Sequence, residues 1–143
     1  MMLRRRSDKI ELLKGVPLFE DLSKRHLDFI AKNADEVASW PGEVLVRQGE
    51  RGREFVLIVE GRARVEQDGA VISHLGAGDF FGEMALLDGE PRSATVITEE
   101  PSVLLIVHSR SFISLLDTVP GLARKLLVTL SRRLRSREGR LLG

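Results

Sequence analysis

A chain of 143 residues, 43% hydrophobic and 30% charged, fits a single globular domain with its own core and leaves no room for a second. Its net charge of +1 gives no global attraction to nucleic acid or to a membrane surface, so any electrostatic partner must be met locally. The complete lack of cysteine rules out disulfides, thiolate metal sites and cysteine nucleophiles, and it suits a reducing cytoplasm.

The opening residues MMLRRRSDKIELLKG carry the basic character of a signal peptide but run straight into Asp8, Lys9 and Glu11 without an apolar stretch. No later run reaches membrane-spanning length, and a cytoplasmic location is expected. Helical spacing of apolar residues predicts two short helices, Ser7 to Leu13 and Ser23 to Asn33, with Ser23 as an N-cap. Between them, Val16 to Phe19 reads as an apolar plug packed on the sheet that follows.

From Glu36 to about Val107 the period changes to two. Val44 and Val46, Val56 and Ile58, Ala63 and Val65, Thr95 and Ile97, then Leu105 and Val107 alternate, with glycines at 42, 49, 52, 61, 69, 76 and 78 between them. Short strands at regular intervals predict a barrel or jelly roll, and Asp68-Gly69 is its sharpest hairpin signal. One helical interruption, FFGEMALLDGEPRSATV from Phe80 to Val96, carries the chemistry.

In that stretch Gly82 lets the backbone come close to a ligand, and Glu83 to Leu87 reads as a short helix whose first N–H groups point back at the same spot. Arg92, its approach fixed by Pro91, offers a fork of donors to two phosphate oxygens, while Ser93 and the Ala94 N–H can add bonds. Glu83 would be repelled by a phosphate unless it faces something else, and a sugar hydroxyl is such a donor. A phosphate beside a ribose hydroxyl reads as a nucleotide. Taken one at a time, Glu83 could equally complement a helix dipole, Arg92 could be a surface cation and the glycines hairpin punctuation; order and spacing together favour the pocket.

At these residues the stretch resembles the phosphate-binding cassette of the cyclic nucleotide-binding domain, found in CRP-type regulators, cyclic-nucleotide-dependent kinases and cyclic-nucleotide-gated channels. The resemblance runs from roughly residue 16 to 138 and takes in Gly49-Glu50-Arg51-Gly52, Phe55 to Val59 with Gly61, and Gly76, Gly78 and Asp79. It implies that Glu83 takes the ribose 2′-hydroxyl, that Arg92 clamps the cyclic phosphate, and that Gly82, Met84, Ala85, Ser93 and Ala94 complete the cradle. The base is expected to lie between strand residues, with Val65 and Val71 as candidates. Arg53 stands where the family usually has aspartate, and an altered loop stability is expected there, with the pocket kept.

After Ser109 the helical period returns through Phe112, Leu115 and Leu116, and after Pro120 through Leu122, Leu126, Leu130 and Leu134, widened by Ala123 and Leu127. The charged side of this last helix carries Arg124, Lys125, Arg132, Arg133, Arg135, Arg137 and Arg140 against Glu138 alone. Three readings stand: a solvated face, a lid over the base as the resemblance suggests, or a basic arm for nucleic acid or acidic lipid together with Arg4, Arg5 and Arg6. In the lid reading Arg133 reaches the purine or the phosphate, its distance from Pro120 matching the lid position of similar channel-type domains. Aromatic content of 5% with no tyrosine argues against stacking on single strands.

The expected architecture is therefore mainly β with flanking helices, a jelly-roll-like β-barrel in one domain over 1–143. N-terminal helices fall at about 7–35, a β-roll with the cassette at about 36–108, and C-terminal lid helices at about 109–138. The expected function is a regulatory module for a cyclic nucleotide, cAMP before cGMP, signalling to an unknown protein effector by movement of its C-terminal helix. It is either free-standing or cut from a larger effector. In similar domains alanine after the cassette arginine goes with adenine and threonine with guanine, and Ser93 is compatible with both.

Two other readings compete with this one. One is the sensor half of a CRP-type transcription regulator lacking its helix-turn-helix, for which residues 119 to 143 are too few, so nucleic acid is not expected as a partner of this chain alone. A cupin-type metalloenzyme would need converging ligands, but His26, His74 and His108 lie on different elements. No serine sits in a nucleophile elbow and no acid pair is set for catalysis, so neither a catalytic residue nor a metal or cofactor is expected.

Overall fold

The structure, a computed structural model, describes residues 6–138, with side chains from residue 9 onward except those of Met84, Arg137 and Glu138. Arg4, Arg5 and Arg140 of the expected basic arms lie outside the described residues, as do the side chains of Arg6 and Arg137. Two helices open the described residues, α1 (Arg6–Lys14) and α2 (Lys24–Lys32), joined through a single 3-10 turn at Pro17–Phe19. Ser23 caps α2 by accepting a hydrogen bond from the His26 N–H at 3.2 Å, and Leu18 and Phe19 are buried as the expected plug.

Eight strands follow: β1 (Ala34–Ser39), β2 (Val44–Val46), β3 (Glu54–Glu60), β4 (Arg62–Gln67), β5 (Ala70–Gly76), β6 (Phe80–Phe81), β7 (Thr95–Thr98) and β8 (Ser102–His108). They form two four-stranded antiparallel sheets, β1-β8-β3-β6 and β2-β7-β4-β5. The jelly-roll character holds, but as two facing sheets rather than a closed barrel, because β1 and β6 edge one sheet while β2 and β5 edge the other. Asp68 and Gly69, with φ of 53° and 82°, make the β4–β5 turn as the sequence predicts.

Two apolar clusters lie on opposite faces of the first sheet. Val56, Ile58, Ala63, Phe81, Val96 and Leu104 fill the space between the sheets. Phe55, Leu57, Phe80, Leu105 and Val107 face the other way and pack on Leu13, Phe19, Leu27, Ile30, Phe112, Leu115, Leu122 and Leu126 from the helices. With both faces covered, β3 is buried at four consecutive positions, Phe55 to Ile58, where a half-exposed strand would alternate. A buried hydrogen bond of 2.7 Å between the Ser39 and Thr98 hydroxyls ties β1 of one sheet to β7 of the other.

A short helix α3 (Glu83–Asp88) interrupts the strands, and α4 (Ser109–Thr118) and α5 (Leu122–Glu138) close the chain. In α5 the first two leucines of the predicted stripe, Leu122 and Leu126, are buried, whereas Leu134 is 46% and Leu127 66% exposed. A spacing of four advances about 40° per step on a helix of 3.6 residues per turn, so the stripe winds off the core within about three steps. Position 133, eleven residues after Leu122, returns to within about 20° of the Leu122 direction and therefore faces inward.

Candidate functional site

The site is assembled where β3, β6, α3 and α5 meet. Gly82 follows β6 with φ of 97°, in the left-handed region open to glycine, and α3 begins at the next residue. Arg92 comes back to the same spot from the loop after α3. Its Nη1 donates to the Gly82 carbonyl at 3.1 Å and its Nη2 to the Glu54 carbonyl at 2.9 Å, leaving three of the five N–H donors of a guanidinium for another acceptor.

The backbone holds Arg92 from both sides. Its N–H donates to the Glu50 carbonyl at 2.8 Å, and its own carbonyl accepts from the Gly49 N–H at 2.9 Å. A Cβ on Gly52 would collide with the Arg92 side chain at Nε and Cζ, and one on Gly82 would come within 2.6 Å of both Arg92 Nη1 and the Glu54 carbonyl. The turn around Gly49 to Gly52 is thus the floor on which the arginine lies. Arg53, the departure in this turn, is exposed, and its carbonyl accepts from the Ser109 N–H at 2.8 Å.

Arg92 is 7% exposed and Glu83 3%. Burial pulls the Arg92 guanidinium below its ordinary pKa, and the negative charges of Glu54 and Glu83 oppose that shift. Burial raises the Glu83 carboxyl above the usual carboxylate range, and the nearby positive charge of Arg133 is the largest effect pulling it back, with Arg92 contributing less. Glu83 Oε1 accepts from Arg133 Nη1 at 3.2 Å. Glu83 Oε2 is buried with no hydrogen-bond partner, the one such side-chain atom among the described residues.

Arg133 is reached by the inward phase of α5. Besides Glu83 it donates through Nη2 to the Phe80 carbonyl at 2.6 Å, and its guanidinium lies 4.3 Å from the Phe80 ring centroid. The resemblance placed this arginine on the purine or the phosphate; here its guanidinium is on Glu83 and Phe80. The other described cations of α5 match a solvated face, with Lys125 paired to Asp21 at 3.0 Å and Arg124 and Arg132 exposed.

The remaining expected residues fall at varied distances from this centre. Ala85 is buried on α3, and the Met84 side chain lies outside the described residues. The exposed Ser93 offers a carbonyl that accepts from Gln67 Nε2 at 3.0 Å, and half-buried Ala94 leads into β7. Val65 pairs with Val96 across β4 and β7 and so lies beside the cassette, while Val71 is one strand further on and 51% exposed. Sequence reasoning missed Glu54, whose carbonyl anchors Arg92, and Phe80 as the seat of Arg133, since both act through contacts between distant elements.

His26 sits on α2, His74 lies 3.6 Å from Glu99, and His108 caps α4. Among the described residues no three His, Cys, Asp or Glu side chains are grouped to hold a metal, and no helix is long and apolar enough to cross a membrane.

Residues 38–119, more than half of the chain, match the family model described as the cyclic nucleotide-binding domain. The chain belongs to the cyclic nucleotide-binding domain family. It is a cyclic nucleotide-binding regulatory domain, and it matches a part of each of several larger signalling proteins. It is 39% identical over 131 residues to the cAMP-dependent protein kinase regulatory subunit of Mycosarcoma maydis, covering 85% of this chain and 25% of that protein. A cyclic nucleotide-gated potassium channel of Rhizobium etli is 38% identical over 119 residues, covering 83% of this chain and 33% of the channel. The regulatory domain of Toxoplasma gondii PKA, solved with cAMP, superposes with a TM-score of 0.80 at 28% identity over 90% of this chain and 50% of that one. The chain thus spans a third or less of the length of these curated relatives.

The packing of Gly52 makes one prediction for this family member. Gly52→Ala is expected to push the Arg92 fork off its two carbonyls and to weaken cyclic nucleotide binding about tenfold or more, since misplacing even one charged hydrogen bond costs about 1.5–3 kcal/mol. Calorimetric titration of the variant against the native chain measures it, and native affinity would show that the turn is not the floor of the site.

Proposed function

We propose that this domain binds cAMP in a pocket between the α3 cassette and α5, and that it signals by movement of α5. Arg92 holds the cyclic phosphate, Glu83 takes the ribose 2′-hydroxyl, and Gly82, Met84, Ala85, Ser93 and Ala94 line the cradle. The base lies along β4 and β5 near Val65 and Val71. The observation that carries this reading is the pairing of a buried guanidinium that has donors to spare with a buried carboxylate that has one oxygen unpartnered. One cation for a phosphate and one acceptor for a hydroxyl is the complement of a cyclic ribonucleotide, whose phosphodiester carries a single charge.

A cAMP ligand also agrees with the Toxoplasma gondii structure, whose domain was solved with that nucleotide. Ser93 has a hydroxyl without a methyl, so it favours adenine over guanine only weakly, and the preference for cAMP over cGMP is expected to be modest. Movement of α5 transmits a signal only in so far as the ligand binds one arrangement of the helix better than the other. Because this chain matches only a part of its curated relatives, the effector is a further protein or a further part of the same one.

Calorimetric titration of the chain with cAMP, cGMP and 5′-AMP tests the reading. Saturable 1:1 heat with both cyclic ligands, tighter for cAMP, is expected, and little or none with 5′-AMP, whose open phosphate carries a charge of about −1.5 to −2 against a single arginine. Equal binding of 5′-AMP, or no heat with either cyclic ligand, would overturn it.

A further inference from the structure

We propose that Arg133 is a positioning residue for ribose recognition, holding Glu83 by one carboxylate oxygen so that the other is presented to the sugar hydroxyl. In this arrangement α5 and the sugar share one carboxylate, an oxygen each; the proposal rests on the reading of Glu83 as the ribose acceptor. Its basis is the asymmetry of that side chain. Oε1 is engaged by Arg133 at 3.2 Å, whereas Oε2, buried in the same place, has no partner. A competitor for the sugar would be expected to satisfy both oxygens, and a guanidinium has the fork to do so. Arg133 instead spends its second arm on the Phe80 carbonyl at 2.6 Å.

Three contacts hold Arg133 in that pose. The carboxylate and the Phe80 carbonyl take its two terminal nitrogens, and the Phe80 ring lies beneath its guanidinium carbon at 4.3 Å. Phe80 is itself packed on Phe55, ring centroids 5.3 Å apart, and Phe55 is stacked on Phe112 of α4 at 4.5 Å. The arginine is therefore seated on the core. A lysine could keep the charge but not the planar fork.

The charge of Arg133 has a second consequence. A sugar hydroxyl donates more strongly to Glu83 while the carboxylate is ionised, and burial works against that state. The charged groups facing Glu83 are Arg133 from α5 and Arg92 from the loop after α3, with its own backbone N–H at the start of α3; Glu54 on β3 faces Arg92. Removing Arg133 deletes the stronger of the two cations, so the carboxyl takes up its proton at a higher pH. Affinity that depends on the ionised form is then lost at a higher pH as well.

The test uses the full chain, its Arg133→Gln and Arg133→Lys variants, and the ligands cAMP and 2′-deoxy-cAMP, titrated calorimetrically at about pH 5.5 and about pH 8.5. The native chain is expected to prefer cAMP about tenfold or more at both values, as one charged hydrogen bond provides. Arg133→Gln should lose most of that preference at the lower pH and regain part of it at the higher, while Arg133→Lys recovers the pH profile of the native chain. In the absence of any ligand, the 13C titration of the Glu83 carboxyl should move upward in Arg133→Gln. An Arg133→Gln chain that keeps the native preference and the native Glu83 titration overturns the proposal alone, as does one that binds cAMP more tightly than native, which would make Arg133 a competitor. A native chain that binds cyclic nucleotides with no preference for the 2′-hydroxyl overturns the ribose role of Glu83 together with it.

Discussion

Arg92→Ala is expected to weaken cAMP binding by about 2–5 kcal/mol, roughly 30- to 4,000-fold, because it leaves a desolvated phosphate without its charge partner. The size follows from how the side chain is set. Arg92 is almost wholly covered, its backbone is fixed on both sides by Glu50 and Gly49, and two of its donors already bridge the Gly82 and Glu54 carbonyls. The fork is therefore positioned before any ligand arrives, and little ordering cost falls on binding. Arg92→Lys is expected to recover only a small part of the loss, since an ammonium cannot hold both carbonyls and a phosphate in one plane. Calorimetric titration of both variants measures the effect, with thermal unfolding to check that they remain folded. An Arg92→Ala chain that binds cAMP like the native one would remove Arg92 from the site.

How much of this could be read from the chain depends on how far apart the cooperating residues lie. Gly82, Glu83 and Arg92 fall within eleven residues, and each has a property that survives without a fold: a missing Cβ, a buried-type carboxylate in an apolar turn, a planar cation after proline. The structure brings the three together through a direct Arg92–Gly82 bond and the burial of Glu83. The N-cap at Ser23 and the Asp68-Gly69 turn were legible for the same reason, being settled by two to four neighbouring residues.

Properties set by distant elements were not legible. Alternation along β3 is hidden because α4 and the other sheet cover its two faces, so four consecutive residues are buried. Gly52 reads as turn punctuation until Arg92, forty residues later, is laid across it. The leucine stripe of α5 is visible as a spacing of four, but its consequence is set by phase: the stripe winds outward and Arg133 takes its place on the inner side. That much was available from helix geometry. What Arg133 would meet there, a carboxylate and a phenylalanine from another part of the chain, was not.

Glu83→Gln separates what this carboxylate does for binding from what it does for folding. Binding of cAMP is expected to fall by about 1.5–3 kcal/mol, the worth of a hydrogen bond to a charged acceptor, while binding of 2′-deoxy-cAMP changes by less than about 0.5 kcal/mol. Stability is expected to move the other way. Burial raises the Glu83 pKa above its value in the unfolded chain, so the folded state holds the proton more tightly and the unfolded state binds fewer protons between the two pKa values. Stability contributed by this group is therefore fully present below the unfolded carboxylate pKa and is lost as pH rises through the folded one. Above that window the native chain carries a buried charge whose second oxygen is unpartnered, and glutamine removes the charge while keeping an acceptor for Arg133. Urea unfolding above the window should find the variant at least as stable as the native chain, and the pH dependence of stability across it should flatten. Parallel losses in stability and in both nucleotides would mean that the Glu83–Arg133 pair is a strut of the fold. Loss confined to the ribonucleotide, with stability kept or gained, would show a charge that is retained in the interior for the hydroxyl it receives.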